Sequence, residues 1–261
     1  MSKVALNRIK SVKELVPGIY KMTLESGYIA DNARPGQFVN LRCCDDGSTL
    51  LRRPVSICSV DRAQGSYTIV FQVKGPGTGL LAAKQPEDEL DVMGPLGKPF
   101  DVGPQYGRIA VVGGGIGIFP LLFTLDESKA AVKHSYLGFR SSNLVIMRDE
   151  FREASSGCEI CTDDGSEGHR GLVTELLERD MSRTPFDIIY TCGPTPMLKK
   201  VSEIAGRYGT PCQVSLEQRM GCGFGACLVC ACKTARGEEW EYRHVCKDGP
   251  VFWSRDVIFE S

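Results

Sequence analysis

The last 40 residues constrain the fold more than any other stretch, because five cysteines, Cys222, Cys227, Cys230, Cys232 and Cys246, crowd into them among glycines. Four of these follow the spacing C-x4-C-x2-C-x15-C: Cys222, Cys227, Cys230 and Cys246. Plant-type [2Fe-2S] centres use this arrangement, a tight loop wrapping three thiolates around the cluster and a distant fourth closing it. The small residues beside and between them, Gly221, Gly223, Gly225 and Ala226, let backbone N–H groups approach the sulfides and stabilise their negative charge. A structural zinc is the competing reading, although zinc sites favour paired C-x2–4-C knuckles and the distal half here offers a single cysteine. Cys232, two residues beyond Cys230 on an extended segment, is expected to point elsewhere and stay unligated.

A chain of 261 residues has room for two ordinary domains and an appendage. With 42% apolar and 24% charged residues it matches globular averages, and 31 basic against 32 acidic residues leave no surplus for a nucleic-acid or anionic membrane surface. No apolar run reaches the length of a membrane span, and the start, Met1-Ser2-Lys3-Val4-Ala5-Leu6-Asn7-Arg8, lacks the apolar stretch of a signal peptide. A cytoplasmic protein is expected, and in a reducing compartment crowded cysteines suggest metal ligation rather than disulfides.

Residues 1–100 alternate apolar and polar positions in short runs between turns, which predicts an antiparallel β-barrel. Tyr67, Ile69, Phe71 and Val73 are expected to face inward while Thr68 and Gln72 face out. After the Pro- and Gly-rich linker 99–107 the pattern becomes strand, glycine turn, helix, repeated. Residues 101–212 therefore read as an α/β domain with a doubly wound parallel sheet. Residues 213–261 show almost no periodicity, so ligation rather than a hydrophobic core is expected to hold this small [2Fe-2S] domain.

Two further constellations carry chemistry. In the barrel, Arg53-Pro54-Val55-Ser56 is paired with Gly75-Pro76-Gly77-Thr78-Gly79. The arginine can neutralise a flavin pyrophosphate, the serine can bond the isoalloxazine edge, and the Gly-Thr turn opening a helix offers N–H groups to phosphate. Either segment alone is more often a strand start or a plain turn. In the α/β domain, Gly113-Gly114-Gly115-Ile116-Gly117 follows the first strand and Cys192-Gly193-Pro194 ends a later one. Gly113, Gly115, Gly117, Gly193 and Pro194 are thus candidates for a dinucleotide, NAD(H), although the loop is not the G-x-G-x-x-G fingerprint. Cys192 either lies near the nicotinamide or is a buried strand-end thiol.

With these pieces in this order the chain resembles the ferredoxin-NADP reductase superfamily and, within it, the electron-transfer subunits of dihydroorotate dehydrogenase B. The likeness runs through Met220-Gly221-Cys222 and is most discriminating at Val245-Cys246-Lys247-Asp248-Gly249-Pro250-Val251-Phe252. It implies FAD bound by Arg53, Pro54, Val55, Ser56, Phe71, Gln72, Val73, Gly77 and Thr78. It also implies NADH as substrate and a [2Fe-2S] cluster. The implied partner is an FMN-containing catalytic subunit that oxidises dihydroorotate to orotate in pyrimidine biosynthesis, in a heterotetramer of two plus two. Arg140-Ser141-Ser142 leaves NADPH open, and Cys158, Cys161 and Cys232 receive no role. The alternatives are a small FAD/[2Fe-2S] subunit of another NAD(P)H:acceptor complex and, from another class, a zinc-stapled binding module.

Overall fold

A computed structural model of the chain describes residues 2–44 and 46–259; Met1, which opens the N-terminal stretch read above, Asp45, and Glu260 and Ser261, which close the last segment, lie outside the described residues. The first part is a closed antiparallel barrel. Its strands are β1 (Lys3–Val16), β2 (Ile19–Glu25), β3 (Phe38–Leu41), β4 (Arg53–Asp61), β5 (Ser66–Gln72) and β6 (Glu89–Leu96), in the order β1-β2-β5-β4-β3-β6. Two short helices interrupt them, α1 (Gly27–Asn32) and α2 (Pro76–Ala82). Closure leaves no free edge, which suits a small sheet with one apolar face.

Alternation along β5 holds only in part. Tyr67, Ile69 and Phe71 fill the barrel, as their spacing predicts, but Thr68 and Val70 are buried as well and Val73 lies beyond the strand, 37% exposed. The outward face of β5 is covered because the second half of the chain packs on it: Val70 and Cys58 share a core cluster with Ile118, Phe119 and Leu122. A strand covered on both faces loses the period that a half-solvated strand shows.

The second part is a sheet of β7 (Arg108–Gly114), β8 (Val132–Phe139), β9 (Gly157–Thr162), β10 (His169–Arg170), β11 (Ile188–Cys192) and β12 (Cys212–Ser215). These are mutually parallel, with α3 (Phe119–Glu127), α4 (Arg148–Ala154), α5 (Val173–Met181) and α6 (Thr195–Arg207) between them. The order β10-β9-β8-β7-β11-β12 places β7 at the reversal of winding, with the chain proceeding outward through β8 on one side and β11 on the other. Ligands of such sheets lie at the carboxyl ends of the strands flanking that reversal. Helix α3 is buried on every side from Phe119 to Leu125 because it is wedged between this sheet and the barrel. No helix among the described residues is long and apolar enough to cross a membrane.

The last segment is not held by ligation alone. It forms a hairpin, β13 (Ala231–Arg236) with β14 (Glu239–His244), and then β15 (Val251–Trp253), which joins the parallel sheet antiparallel to β12. Cys230, Val245, Cys246 and Phe252 enter the same core cluster as Val112, Ile189 and Val214. These apolar residues are too few and too scattered to show a period, yet the sheet edge they cover supplies the rest of their core.

Candidate functional site

The flavin candidates converge. Arg53, Pro54, Val55 and Ser56 at the start of β4, Phe71 and Gln72 at the end of β5, and Gly77 and Thr78 in α2 line one cavity of about 450 Å³. The guanidinium of Arg53 lies directly over Gly77, where a Cβ would come within 2.7 Å of its Nε, and it donates to the Leu51 carbonyl. The Gly77 backbone can therefore sit under a basic group, the pairing that a diphosphate requires. Thr78 is not free to reach a ligand with its hydroxyl: Oγ1 accepts from the N–H groups of Lys74 (2.9 Å) and Gly75 (3.2 Å) and donates to the Gly75 carbonyl, so it shapes the turn. Val73 does not line the cavity.

A second cavity, about 1090 Å³, opens over the carboxyl ends of the parallel strands. Gly115 and Gly117 line it after β7, Gly193 and Pro194 after β11, and Arg140 and Asp163 after β8 and β9. Gly113 does not reach it; this residue is still within β7, and a Cβ there would press on Ile118 and Leu121. Cys192 belongs instead to the wall of the flavin cavity, and burial pushes its thiol up to about 12, so its Sγ keeps its proton. The two cavities share Gln72, Lys74, Ile116, Leu216, Glu217 and Gln218. A planar ring in each would meet across that common wall. Lys74, Glu217 and Gln218 escape the sequence reading because isolated polar residues in loops carry no spacing signal.

Met220 and Pro250, which also line the flavin cavity, adjoin the cysteine loop and the Cys246 turn in the chain. Among the described residues no three His, Cys, Asp or Glu side chains converge as ligands of one metal ion would. The four thiols form two pairs. Cys222 donates its N–H to Cys227 Sγ (3.3 Å), and Cys246 donates its N–H to Cys230 Sγ (3.4 Å). A two-iron cluster takes two protein ligands on each iron, so the donor set fits it. The loop also turns backbone donors inward: the N–H groups of Phe224 (3.5 Å), Ala226 (3.2 Å) and Cys227 (3.5 Å) point at Cys222 Sγ. Partial burial opposes ionisation of this thiol, but those hydrogen bonds outweigh it and hold Cys222 down to about 6. Cys222 and Cys227 are the more accessible pair, and Cys230 and Cys246 are buried.

Cys232 lies in β13 on the wall of the dinucleotide cavity, partly buried, its thiol pushed up to about 11 by burial. Strand alternation is not what separates it from Cys230, since residues two apart on a strand share a face. Leu228 adopts a left-handed φ of 63°, the chain turns through Val229 and Cys230, and β13 begins only at Ala231. Cys158 and Cys161 sit in β9 and pack into the sheet, Cys161 donating to the Gly171 carbonyl.

The chain is similar to known proteins over its whole length. Residues 217–258 match the family of iron-sulfur cluster binding domains of dihydroorotate dehydrogenase B. The dihydroorotate dehydrogenase B (NAD(+)) electron transfer subunit of Geobacillus thermodenitrificans is 42% identical over 255 residues, covering 96% of each chain. The same subunit of Desulforamulus reducens is 40% identical over 263 residues, covering 100% of each. Among solved structures, an NADH-dependent reduced ferredoxin-NADP oxidoreductase superposes with a TM-score of 0.84 at 33% identity, covering 98% of this chain and 90% of that one. A ferredoxin NADP+ reductase from Neisseria gonorrhoeae with bound FAD and NADP shares the fold, with a TM-score of 0.65 at 19% identity over 79% of this chain.

Proposed function

The chain belongs to the family of dihydroorotate dehydrogenase B electron-transfer subunits, and from that premise we propose that it passes electrons between NAD(H) and a dihydroorotate-oxidising catalytic subunit, by way of FAD and a [2Fe-2S] cluster. The observation that carries this reading is the position of the flavin cavity. It shares lining residues with the dinucleotide cavity, and its wall also includes Met220 and Pro250, which flank the four cysteines of the cluster motif. When bound, the flavin exchanges a hydride with the nicotinamide and single electrons with the cluster, which is why it must lie between them.

The residues of the chain then divide the work. Arg53 and the turn at Gly77 would hold the flavin diphosphate, and Ser56, on the same strand, would meet the ring. Pro54, Val55 and Phe71 would give that ring an apolar bed, and Cys192 would add to the same wall a thiol that burial keeps protonated. The glycines after β7 and β11 would admit the dinucleotide at the reversal of the sheet. Cys222, Cys227, Cys230 and Cys246 would ligate the irons. Around them Phe224, Leu228 and Val229 are each more than half exposed, an unusual density of apolar side chains next to an accessible thiol pair. We assign this rim to the catalytic subunit, whose FMN would receive or supply the single electrons in a complex of two plus two chains.

Reconstitution tests the reading. The isolated chain should reduce dyes with NADH but leave dihydroorotate untouched, and adding the catalytic subunit should restore NAD-linked dihydroorotate oxidation. Cys227→Ala should abolish that linked activity and spare much of the dye reaction. Dihydroorotate turnover by this chain alone, or full linked turnover without the cluster, would overturn the proposal. A complex that reduces ferredoxin and not dihydroorotate would favour instead a second reading, suggested by the likeness to the NADH-dependent ferredoxin-NADP oxidoreductase, with the same cofactors and another partner.

A further inference from the structure

Asn40 is a polar residue in β3, 1% exposed, flanked along the strand by the buried Val39 and Leu41. Burying an amide is unfavourable unless its groups are bonded, and its Oδ1 finds no donor among the described residues. The other half of the amide is used outside the barrel: Nδ2 donates to the backbone carbonyl of Cys222 at 3.1 Å. That acceptor dictates the amide's orientation, because the flipped form would set two oxygens against each other. The fit is close on the other side too. Gly223 has φ +82°, and a Cβ there would lie 2.3 Å from Asn40 Nδ2, so the loop can approach the amide only with glycine at this position.

Asn40 is also one strand away from the flavin cavity. In the β3–β4 register its Cα partner is Pro54, which lines the flavin cavity. One residue thus links, through its backbone, the strand that walls the flavin and, through its side chain, the first cysteine of the cluster motif.

We propose that Asn40 is a positioning residue for flavin-to-cluster electron transfer: by holding the Cys222 carbonyl it keeps the following N–H groups aimed at Cys222 Sγ and fixes the cluster against the flavin cavity. The inference rests on the assignment of the cluster to Cys222, Cys227, Cys230 and Cys246. Hydrogen bonds to the cluster sulfurs favour the reduced, more negative state. A loop released from Asn40 aims those donors less well, so the cluster potential falls.

The test uses the purified full-length chain with FAD and cluster, comparing wild type with Asn40→Asp, which keeps the shape but replaces the donor by an acceptor. Gly223→Ala, which pushes the loop off Asn40 from the other side, serves as the independent variant should Asn40→Asp fail to fold. Either is expected to lower the cluster midpoint, broaden its reduced electron paramagnetic resonance signal, and lower the flavin-to-cluster rate relative to the NADH-to-flavin rate by roughly fivefold, the worth of about one hydrogen bond. Amides of the 222–227 loop should also exchange faster in the cluster-free variants. A wild type without cluster would overturn the cluster assignment and this inference together. A cluster-bearing wild type whose variants keep the same midpoint, signal and exchange would overturn the inference alone.

Discussion

At the scale of single residues the site works by controlling charge. Arg53 is the cation in the flavin cavity that the geometry pairs with a glycine backbone, and a charge-assisted contact of that kind contributes about 1.5–3 kcal/mol. Arg53→Ala should therefore weaken FAD retention tenfold or more, read by gel filtration and flavin fluorescence, while the urea midpoint hardly moves, because the side chain is only partly buried. The thiols sort in the same way. Hydrogen bonds from Ser48 and Thr49 lower the Cys44 thiol below its ordinary value, whereas burial pushes Cys58, Cys192 and Cys212 up to about 12. The thiolate is the reactive form. Among the cysteines outside the cluster motif, Cys44 should be alkylated first by iodoacetamide at pH 8, with Cys58, Cys192 and Cys212 unmodified in the folded protein by mass spectrometry. Rapid labelling of Cys192 would show that its cavity wall opens to solvent.

Secondary-structure elements decide where those residues can stand. The 3₁₀ turn at 115–118 brings Gly117 against the end of β11 so closely that a Cβ would lie 2.5 Å from the Cys192 carbonyl oxygen. Backbone cannot move aside as a side chain can, so Gly117→Ala should cost about 1–3 kcal/mol as an overpacked site does. It should also weaken NADH binding, because the turn it displaces walls both cavities. Gly206 gives the contrast. It lies exposed in α6, where nothing stands within 4 Å of an added Cβ, and Gly206→Ala should stabilise the chain by about 0.5–1 kcal/mol through helix propensity alone. Thermal melts of the pair measure both signs. A destabilised Gly206→Ala would mean that the end of α6 is less regular than its hydrogen bonds indicate.

In the whole molecule, the C-terminal segment is the clasp. Lys98 at the barrel's exit pairs with Pro250 and donates to the Gly249 carbonyl, Leu216 donates to the Pro250 carbonyl (2.9 Å), and Phe252 in β15 lies opposite Val214 of β12. Pro250 also walls the flavin cavity, and Cys246 is buried beside Val245. The stretch from Val245 to Phe252 therefore ties barrel, sheet and cluster loop together, which is a physical reason for it to read as a signature. Phe252→Ala should cost about 3–5 kcal/mol, as removal of a buried aromatic ring does, and should release flavin and cluster together on urea titration. Loss of the cluster at a urea concentration where the flavin is fully retained would show that the clasp serves only its own end of the molecule.

Much of this was legible in the amino-acid order. The change from alternating strands to strand-glycine-helix units announces a barrel followed by a parallel sheet, since hydrophobic period is a local property. The cysteine spacing announces the cluster because ligand geometry tolerates few loop lengths. Arg53-Pro54-Val55-Ser56 and the glycine turns line two cavities, and they stand out in the sequence because a phosphate would need a cation and an uncrowded backbone. Contacts between distant parts of the chain decided the rest. The two-sided burial of β5, the placement of Cys192 in the flavin wall rather than the dinucleotide cavity, the reach of Asn40 to Cys222 across 182 residues, and the anchoring of the last segment by β15 all depend on which surfaces meet after folding. None of them leaves a period or a spacing along the sequence, because each is made of a few side chains whose partners are supplied by another element.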